Sequence, residues 1–340
     1  MDTTPAPDRL AGRPVRWGFL GAGDIARVMA DTVAATPGHE LVAVAARDGA
    51  RAEAFAEEFG ADRSHAGYDA LLADEAVDAV YLNTTHTVHH PQLLAAVAAG
   101  KPVLCEKPLT LNADQAHEAL AAARRHGVLV MEAMWMRCQP LVRRAAELVA
   151  SGRIGRVVSV QARLGTRFAY DPAHRLFDPA NGGGALLDLG VYPASFAWLF
   201  LGEPDTVQVT GCLAPTGVDA TVSLQWGYAR GASAQLFCSS QGEALPSATV
   251  VGTAGTIDVA PSFQDPTELL LSTDDGEERF SGERHGFRPE LEEFERCLRT
   301  GVVESELVPH AHTVGVLQVL DATRVELGVK YPQESAIGQL

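Results

Sequence analysis

Lysine is close to absent: it stands only at Lys101, Lys107 and Lys330, and every other basic side chain is arginine. Cysteine is sparse too. Cys105, Cys138, Cys212, Cys238 and Cys297 are odd in number, far apart and form no CxxC pair. That spacing argues against a disulfide framework and against a structural zinc site. Positive charge is short, with 27 Lys and Arg against 43 Asp and Glu and a net charge of −16. Such a surface repels DNA or RNA as a whole, so no nucleic-acid partner is expected. No run of about 18 apolar residues occurs, so no membrane span is expected either. Residues 1–13 are polar and proline-rich, without an apolar leader core or a twin arginine. They read as a disordered lead-in, and the protein as cytoplasmic.

What is present is globular. Of 340 residues, 46% are hydrophobic and 21% charged, enough for two cores. In the first part, short apolar runs alternate with helix-like stretches. Val15–Leu20 leads through Gly21-Ala22-Gly23 into a helix from Asp24 to Ala35. Leu41–Ala45, Ala79–Leu82, Pro102–Cys105 and Val128–Met131 read as further strands, with helices over 50–59, 91–99 and 112–126. Asn112 and Gln115 form a capping box, and Gly127 ends that helix. Continuous apolar strands are buried on both faces, as in a parallel sheet covered by helices. The pattern predicts an α/β protein with a doubly wound Rossmann domain over 14–134.

Beyond about residue 135 the rhythm changes. Strands are expected over 157–164, 206–213, 221–226, 232–238, 248–252, 256–259 and 268–272, and helices over 289–298 and 312–327. That predicts a second, α+β domain over 135–340 with a large, mostly antiparallel sheet.

Gly21-x-Gly23-x-x-Ala26 sits where the first strand meets the first helix. Gly21 permits a tight turn, Gly23 lets backbone approach a pyrophosphate, and Ala26 keeps helix and strand close. The helix N-terminus, from Asp24 and Ile25, presents N–H groups to the phosphates. At the end of the second strand the chain reads Ala46-Arg47-Asp48, with Arg51 a turn later. A guanidinium pairs with a 2′-phosphate, so NADP is expected in preference to NAD, with Asp48 the residue that would serve NAD. Asn83, Thr84, Thr85, His86 and His89 follow the strand ending at Leu82. His86, His89 and His90 resemble a metal cluster, but no carboxylate or cysteine completes a ligand set nearby. They are read as cofactor and substrate contacts or caps, with no metal.

Lys101-Pro-Val-Leu-Cys-Glu106-Lys107-Pro108 resembles the Gly-Lys-x-Val-x-x-Glu-Lys-Pro segment of the glucose–fructose oxidoreductase, inositol dehydrogenase and MocA (Gfo/Idh/MocA) family. Met131-Glu-Ala-Met-Trp135-Met-Arg137-x-x-Pro140 looks like that family's segment joining two domains. Arg175-Leu-Phe-Asp-Pro179 and Gly182 to Pro193 look like a second diagnostic run. The likeness extends from about Val15 to the C-terminal tail and is strongest to the dimeric dihydrodiol dehydrogenase and NADP-dependent xylose dehydrogenase branch. Cys138 stands where those proteins usually carry an aromatic residue.

The resemblance implies that Lys107, Asp188 and Tyr192 share one site at a domain interface. Tyrosine titrates near 10, and a close ammonium favours its phenolate. Tyr192 is then the acid/base, Lys107 the electrostatic activator and Asp188 an orienting group. If 185–199 is helical, Asp188 and Tyr192 lie one turn apart. Glu106 is expected to contact the nicotinamide ribose or else only to fix the Lys107–Pro108 turn. Trp135, Arg137 and Arg175 are expected to serve the substrate, with a structural ion pair the alternative for the two arginines, and the Lys107–Pro108 bond to be cis. The implied activity is hydride transfer between NADP and a secondary alcohol, ketone or hemiacetal carbon of a sugar, polyol or vicinal diol. The assembly is expected to be a homodimer, with a tetramer as the alternative. Two other readings use the same fold. One is a cofactor-binding sensor, which would be expected to lose Lys107 or the Asp188/Tyr192 pair. The other is an enzyme holding NAD(H) tightly for net-neutral sugar chemistry.

Overall fold

A computed structural model describes residues 10–335 and divides into two compact units. Among the described residues, the first comprises 10–134 and 286–310, the second 135–285 and 311–335.

In the first unit, β1 (Val15–Leu20), β2 (His39–Ala46), β3 (Arg63–Ala66), β4 (Ala79–Leu82), β5 (Val103–Glu106) and β6 (Val130–Ala133) form one sheet in the order β3-β2-β1-β4-β5-β6. Every pairing is parallel. The order reverses between β1 and β4, and the crevice at a reversal is where such sheets bind ligands. Ala113–His126 is capped as expected at its start: Asn112 Oδ1 accepts from Gln115 N–H at 3.0 Å. The return bond of Gln115, however, takes the N–H of Leu111, one residue earlier than a capping box would.

Three expectations need correction here. The lead-in does not run to residue 13: 1–9 lie outside the described residues, but Leu10 is buried and Arg13 donates to Asp78 at 2.8 Å. Strand β3 and the short helix Asp69–Leu72 were not expected, because Arg63-Ser-His-Ala66 is a polar edge strand with no apolar run to mark it. Residues 286–310, placed by sequence in the second domain, pack with the first. The reason is Trp17. Its ring lies 5.0 Å from Phe294, and its indole N–H donates to His39 Nδ1 at 3.1 Å. The other nitrogen of His39 then faces Glu295 at 3.2 Å, so the helix Arg288–Thr300 is held by both apolar and polar contacts.

In the second unit, β7 (Val157–Gly165), β8 (Thr206–Leu213), β9 (Asp219–Gly227), β10 (Ser233–Ser239), β11 (Ala244–Gly252), β12 (Gly255–Ala260), β13 (Glu268–Thr273) and β14 (Gly276–Ser281) form the second sheet. Their order is β14-β13-β12-β11-β7-β10-β9-β8, antiparallel except where β7 meets β10. Side chains alternate along the strands. Val160, Ala162, Leu164, Leu224, Trp226 and Leu236 are buried, while Gln161, Arg163 and Gln235 are exposed. The helix Pro140–Ala150, with proline in its first turn, and the polar edge strand β14 were not expected from sequence. One stretch, Pro179–Leu201, is long and apolar enough to cross a bilayer, against the expectation that none is. With 78% of its best window buried inside the protein, it is core.

Candidate active site

Gly21 follows β1 with φ +121°, and its N–H donates to the Ala45 carbonyl at 2.9 Å. A Cβ there would lie 2.3 Å from Asn83 Oδ1, so only glycine fits. At Gly23 an added Cβ would meet nothing within 4 Å, which marks open space beside the turn. The helix Asp24–Ala35 starts there without a side-chain cap, so its first N–H groups are available to an anion. Ala22 and Ala26 are buried, Ile25 is half-buried and Asp24 is exposed. Asn83 donates to the Tyr81 carbonyl at 3.3 Å, while its own Oδ1 is buried without a partner. A buried acceptor of this kind awaits a donor. The open cradle and the orphaned acceptor together fit a dinucleotide.

At the end of β2, Arg47 and Asp48 are exposed. Asp48 Oδ1 accepts from Ala50 N–H at 3.0 Å and caps its own helix, Gly49–Phe59. Arg51 Nε donates to the Ala22 carbonyl at 3.1 Å, which holds the guanidinium against the glycine turn.

The Glu106-Lys107-Pro108 turn follows β5, and its Lys107–Pro108 bond is cis. Glu106 accepts from Tyr81 Oη at 2.5 Å and from the Lys107 N–H at 3.2 Å. Glu132 accepts from Leu109 N–H at 3.0 Å. His89 lies beneath the turn, almost fully buried, with Nε2 3.0 Å from the Thr84 carbonyl and Nδ1 3.2 Å from those of Pro108 and Leu109. Burial pushes its pKa down to about 4, so the ring is neutral. Read from sequence as a cofactor or substrate contact or a cap, His89 packs between the Thr84 carbonyl and the Lys107–Pro108 turn, where its single ring proton serves one side at a time. His86 is buried in the short helical turn that follows Thr85. His90 faces Glu118 at 3.0 Å, Thr84 donates to Gln92 at 2.5 Å, and Thr85 lies 3.2 Å from Thr87. Tyr81 and Glu132 were missed by sequence reasoning. The signal was a tyrosine and an acid inside apolar strands, where each needs a partner.

Of the rare lysines, Lys101 is structural: Nζ donates to the Asp74 and Val77 carbonyls at 2.7 and 2.8 Å. Lys107 is half-buried.

In the second unit, Asp188 and Tyr192 lie on one continuous helical run, which begins as π-helix at Leu186–Gly190 and continues as α-helix over Val191–Leu201. Trp135 donates its indole N–H to Tyr192 Oη at 2.8 Å, with the two rings edge to face. Arg175 grips Asp188 through contacts of 3.2 to 3.4 Å. Arg137, assigned to the substrate by sequence, donates through one nitrogen to His312 Nδ1 at 2.6 Å. Cys138 is buried. The run's first N–H groups are tied down by Asp219, which accepts from Leu186 N–H at 2.5 Å, and whose pKa burial pushes up to about 6.

Residues 15–134 match the oxidoreductase family with the NAD-binding Rossmann fold, and residues 142–258 match the C-terminal domain of the same Gfo/Idh/MocA family. The chain is 35% identical to the trans-1,2-dihydrobenzene-1,2-diol dehydrogenase of Mus musculus, over 94% of this chain and 99% of that one. It is 34% identical to the Sus scrofa enzyme of the same name, with the same coverage. Among solved structures, a 3-ketoreductase from Actinomadura kijaniata, crystallised with NADP and TDP-benzene, is 30% identical. It superposes with a TM-score of 0.80 over 92% of this chain and 98% of its own. An aldose–aldose oxidoreductase from Caulobacter crescentus shares the fold, with a TM-score of 0.84 at 23% identity, over 93% of this chain and 98% of its own. With its Rossmann turn intact and its likeness running nearly end to end, the chain belongs to the Gfo/Idh/MocA family of oxidoreductases.

Proposed function

We propose that the chain is an NADP-dependent dehydrogenase or ketoreductase acting on a secondary alcohol, ketone or hemiacetal carbon of a sugar, polyol or vicinal diol. The observation that carries this is Tyr192, whose phenolic oxygen receives the Trp135 N–H on the same helical run that presents Asp188. With one lone pair occupied by the indole, the hydroxyl turns its own proton toward another acceptor, as an acid/base needs. Asp188, held by Arg175, accepts a substrate hydroxyl and orients the sugar or diol. Lys107 supplies positive charge to the alkoxide as it forms. The Gly21–Asn83 cradle takes the pyrophosphate, Arg47 and Arg51 the 2′-phosphate, and Glu106 the ribose beside nicotinamide. The nicotinamide, when bound, accepts or donates the hydride. Support for NADP comes from Arg51, whose guanidinium is held at the glycine turn, and from the ketoreductase relative crystallised with NADP.

The test mixes purified protein with NADP, then NAD, against aldoses, polyols and vicinal diols, and follows the absorbance of reduced nicotinamide. Turnover with NADP on a diol or aldose, lost in Lys107→Met, is expected. Tight NADP binding with no turnover in either direction would overturn the reading in favour of a sensor. Sedimentation of the same sample checks the expected homodimer.

A further inference from the structure

We propose that His312 is a positioning residue for Tyr192: it ties the turn that carries Trp135 to the helix that carries Tyr192, and so fixes the direction of the Tyr192 hydroxyl. This rests on the reading of Tyr192 as the acid/base.

His312 lies near the start of the helix His310–Leu327 and is 5% exposed. Its Nδ1 is 2.6 Å from an Arg137 guanidinium nitrogen, and its Nε2 is 2.7 Å from Ser195 Oγ. A guanidinium only donates, so Nδ1 must offer its lone pair. The neutral ring therefore carries its proton on Nε2 and donates it to Ser195. Burial and the Arg137 charge both hold the ring neutral, far below the ordinary imidazole range. An imidazolium would set N–H against N–H and cation against cation. The edge of Trp198 packs on the same ring, with centroids 6.3 Å apart.

The Arg137–His312–Ser195 link ends beside Trp135 on one side and Tyr192 on the other. Arg137 is on the turn Trp135–Cys138, two residues after Trp135. Ser195 is three residues after Tyr192 on Val191–Leu201, close to one helical turn. The turn and the helix are thus joined by two parallel links, Trp135 to Tyr192 at 2.8 Å and Arg137 through His312 to Ser195. The helix is already fixed by its buried residues, so the second link acts on the turn and holds Trp135 in register with Tyr192. Ser195 has no other evident reason to be here. It is fully buried in a helix otherwise lined with apolar and aromatic residues, where an unpaired hydroxyl is costly.

The test compares His312→Leu, which removes both bonds, with His312→Gln, whose amide oxygen can accept from Arg137 while its nitrogen donates to Ser195. The first readout is the indole 15N–1H signal of Trp135, assigned with Trp135→Phe, whose position reports the bond to Tyr192. The second is steady-state kinetics. His312→Leu is expected to move the indole signal toward its position in Tyr192→Phe. It should also lower kcat about tenfold or more, since small misplacements of a reacting group cost that much, with KM for NADP unchanged. His312→Gln is expected to restore both. Where His312→Leu does not fold, Ser195→Ala makes the same comparison with a smaller change. A wild-type indole signal and kcat in the leucine or alanine variant would overturn the inference. If the wild-type protein turns over no substrate, the proposed activity falls, and the indole signal alone decides whether His312 sets Tyr192.

Discussion

The carboxylate of Asp48 accepts from the backbone N–H of Ala50 at 3.0 Å and caps the helix Gly49–Phe59 through one of its two oxygens. Arg51, one turn on, lies against the Ala22 carbonyl of the glycine turn. Arg51→Ala is therefore expected to raise KM for NADP by roughly tenfold or more, the worth of a charge-assisted contact to phosphate. KM for NAD should stay nearly constant. Initial rates with each cofactor check this, and an equal rise for both would contradict it.

Gly21 and Gly23 should fail differently. A side chain at Gly21 meets Asn83 at 2.3 Å on a backbone with φ +121°, so Gly21→Ala is expected to lower the melting temperature by several degrees. Gly23→Ala meets no protein atom within 4 Å and should melt like the wild type. Its methyl group instead fills the space beside the turn, and NADP affinity should drop at least tenfold by calorimetric titration.

Tyr192→Phe keeps the ring and removes the proton. Its kcat should fall by about 10² to 10⁴, the usual worth of a positioned acid/base. NADP binding should not change, because the cradle is built in the other unit.

Acid should weaken the fold through His89. Its folded pKa, about 4, lies below the ordinary 6.5. Above pH 6.5 the ring is neutral folded or unfolded, and its contribution is fully present. Between pH 6.5 and 4 only the unfolded chain takes the proton, so stability falls. At pH 5 the loss from this one group is roughly 2 kcal/mol. Asp219 and Glu290, whose pKa values are raised by burial, act in the opposite direction. The measurement is therefore urea unfolding of wild type against His89→Gln at pH 7.5 and 5. The gap between the two should change by about that amount, since the acids are common to both.

Much of this was legible in the sequence, for physical reasons. Asn112 before an alanine-rich run marks a helix start, and Gly21 after an apolar strand marks a turn with no room for a side chain. Period and the Asn112 cap are local and legible; the return bond of Gln115, to Leu111 and not to Asn112, is not. Polar edge strands such as β3 and β14 carry no apolar signal and were not read. The helix Arg288–Thr300 was expected, but its partner was not, because periodicity shows that a face is apolar and not which core it joins. Arg137 was visible as a basic residue near the Trp135 turn. Its bond to His312 closes 175 positions of chain, and no local pattern reports such a contact.

The path of the chain sets an order of events during synthesis. The sheet around Trp17 is translated first, yet the helix that covers Trp17 and His39 begins only at Arg288. Every strand of the second unit emerges from the ribosome before that helix does. The first unit's sheet thus waits with one face of its core open until every strand of the second unit has been made. A fragment ending at residue 134 would carry the glycine turn but expose the tryptophan.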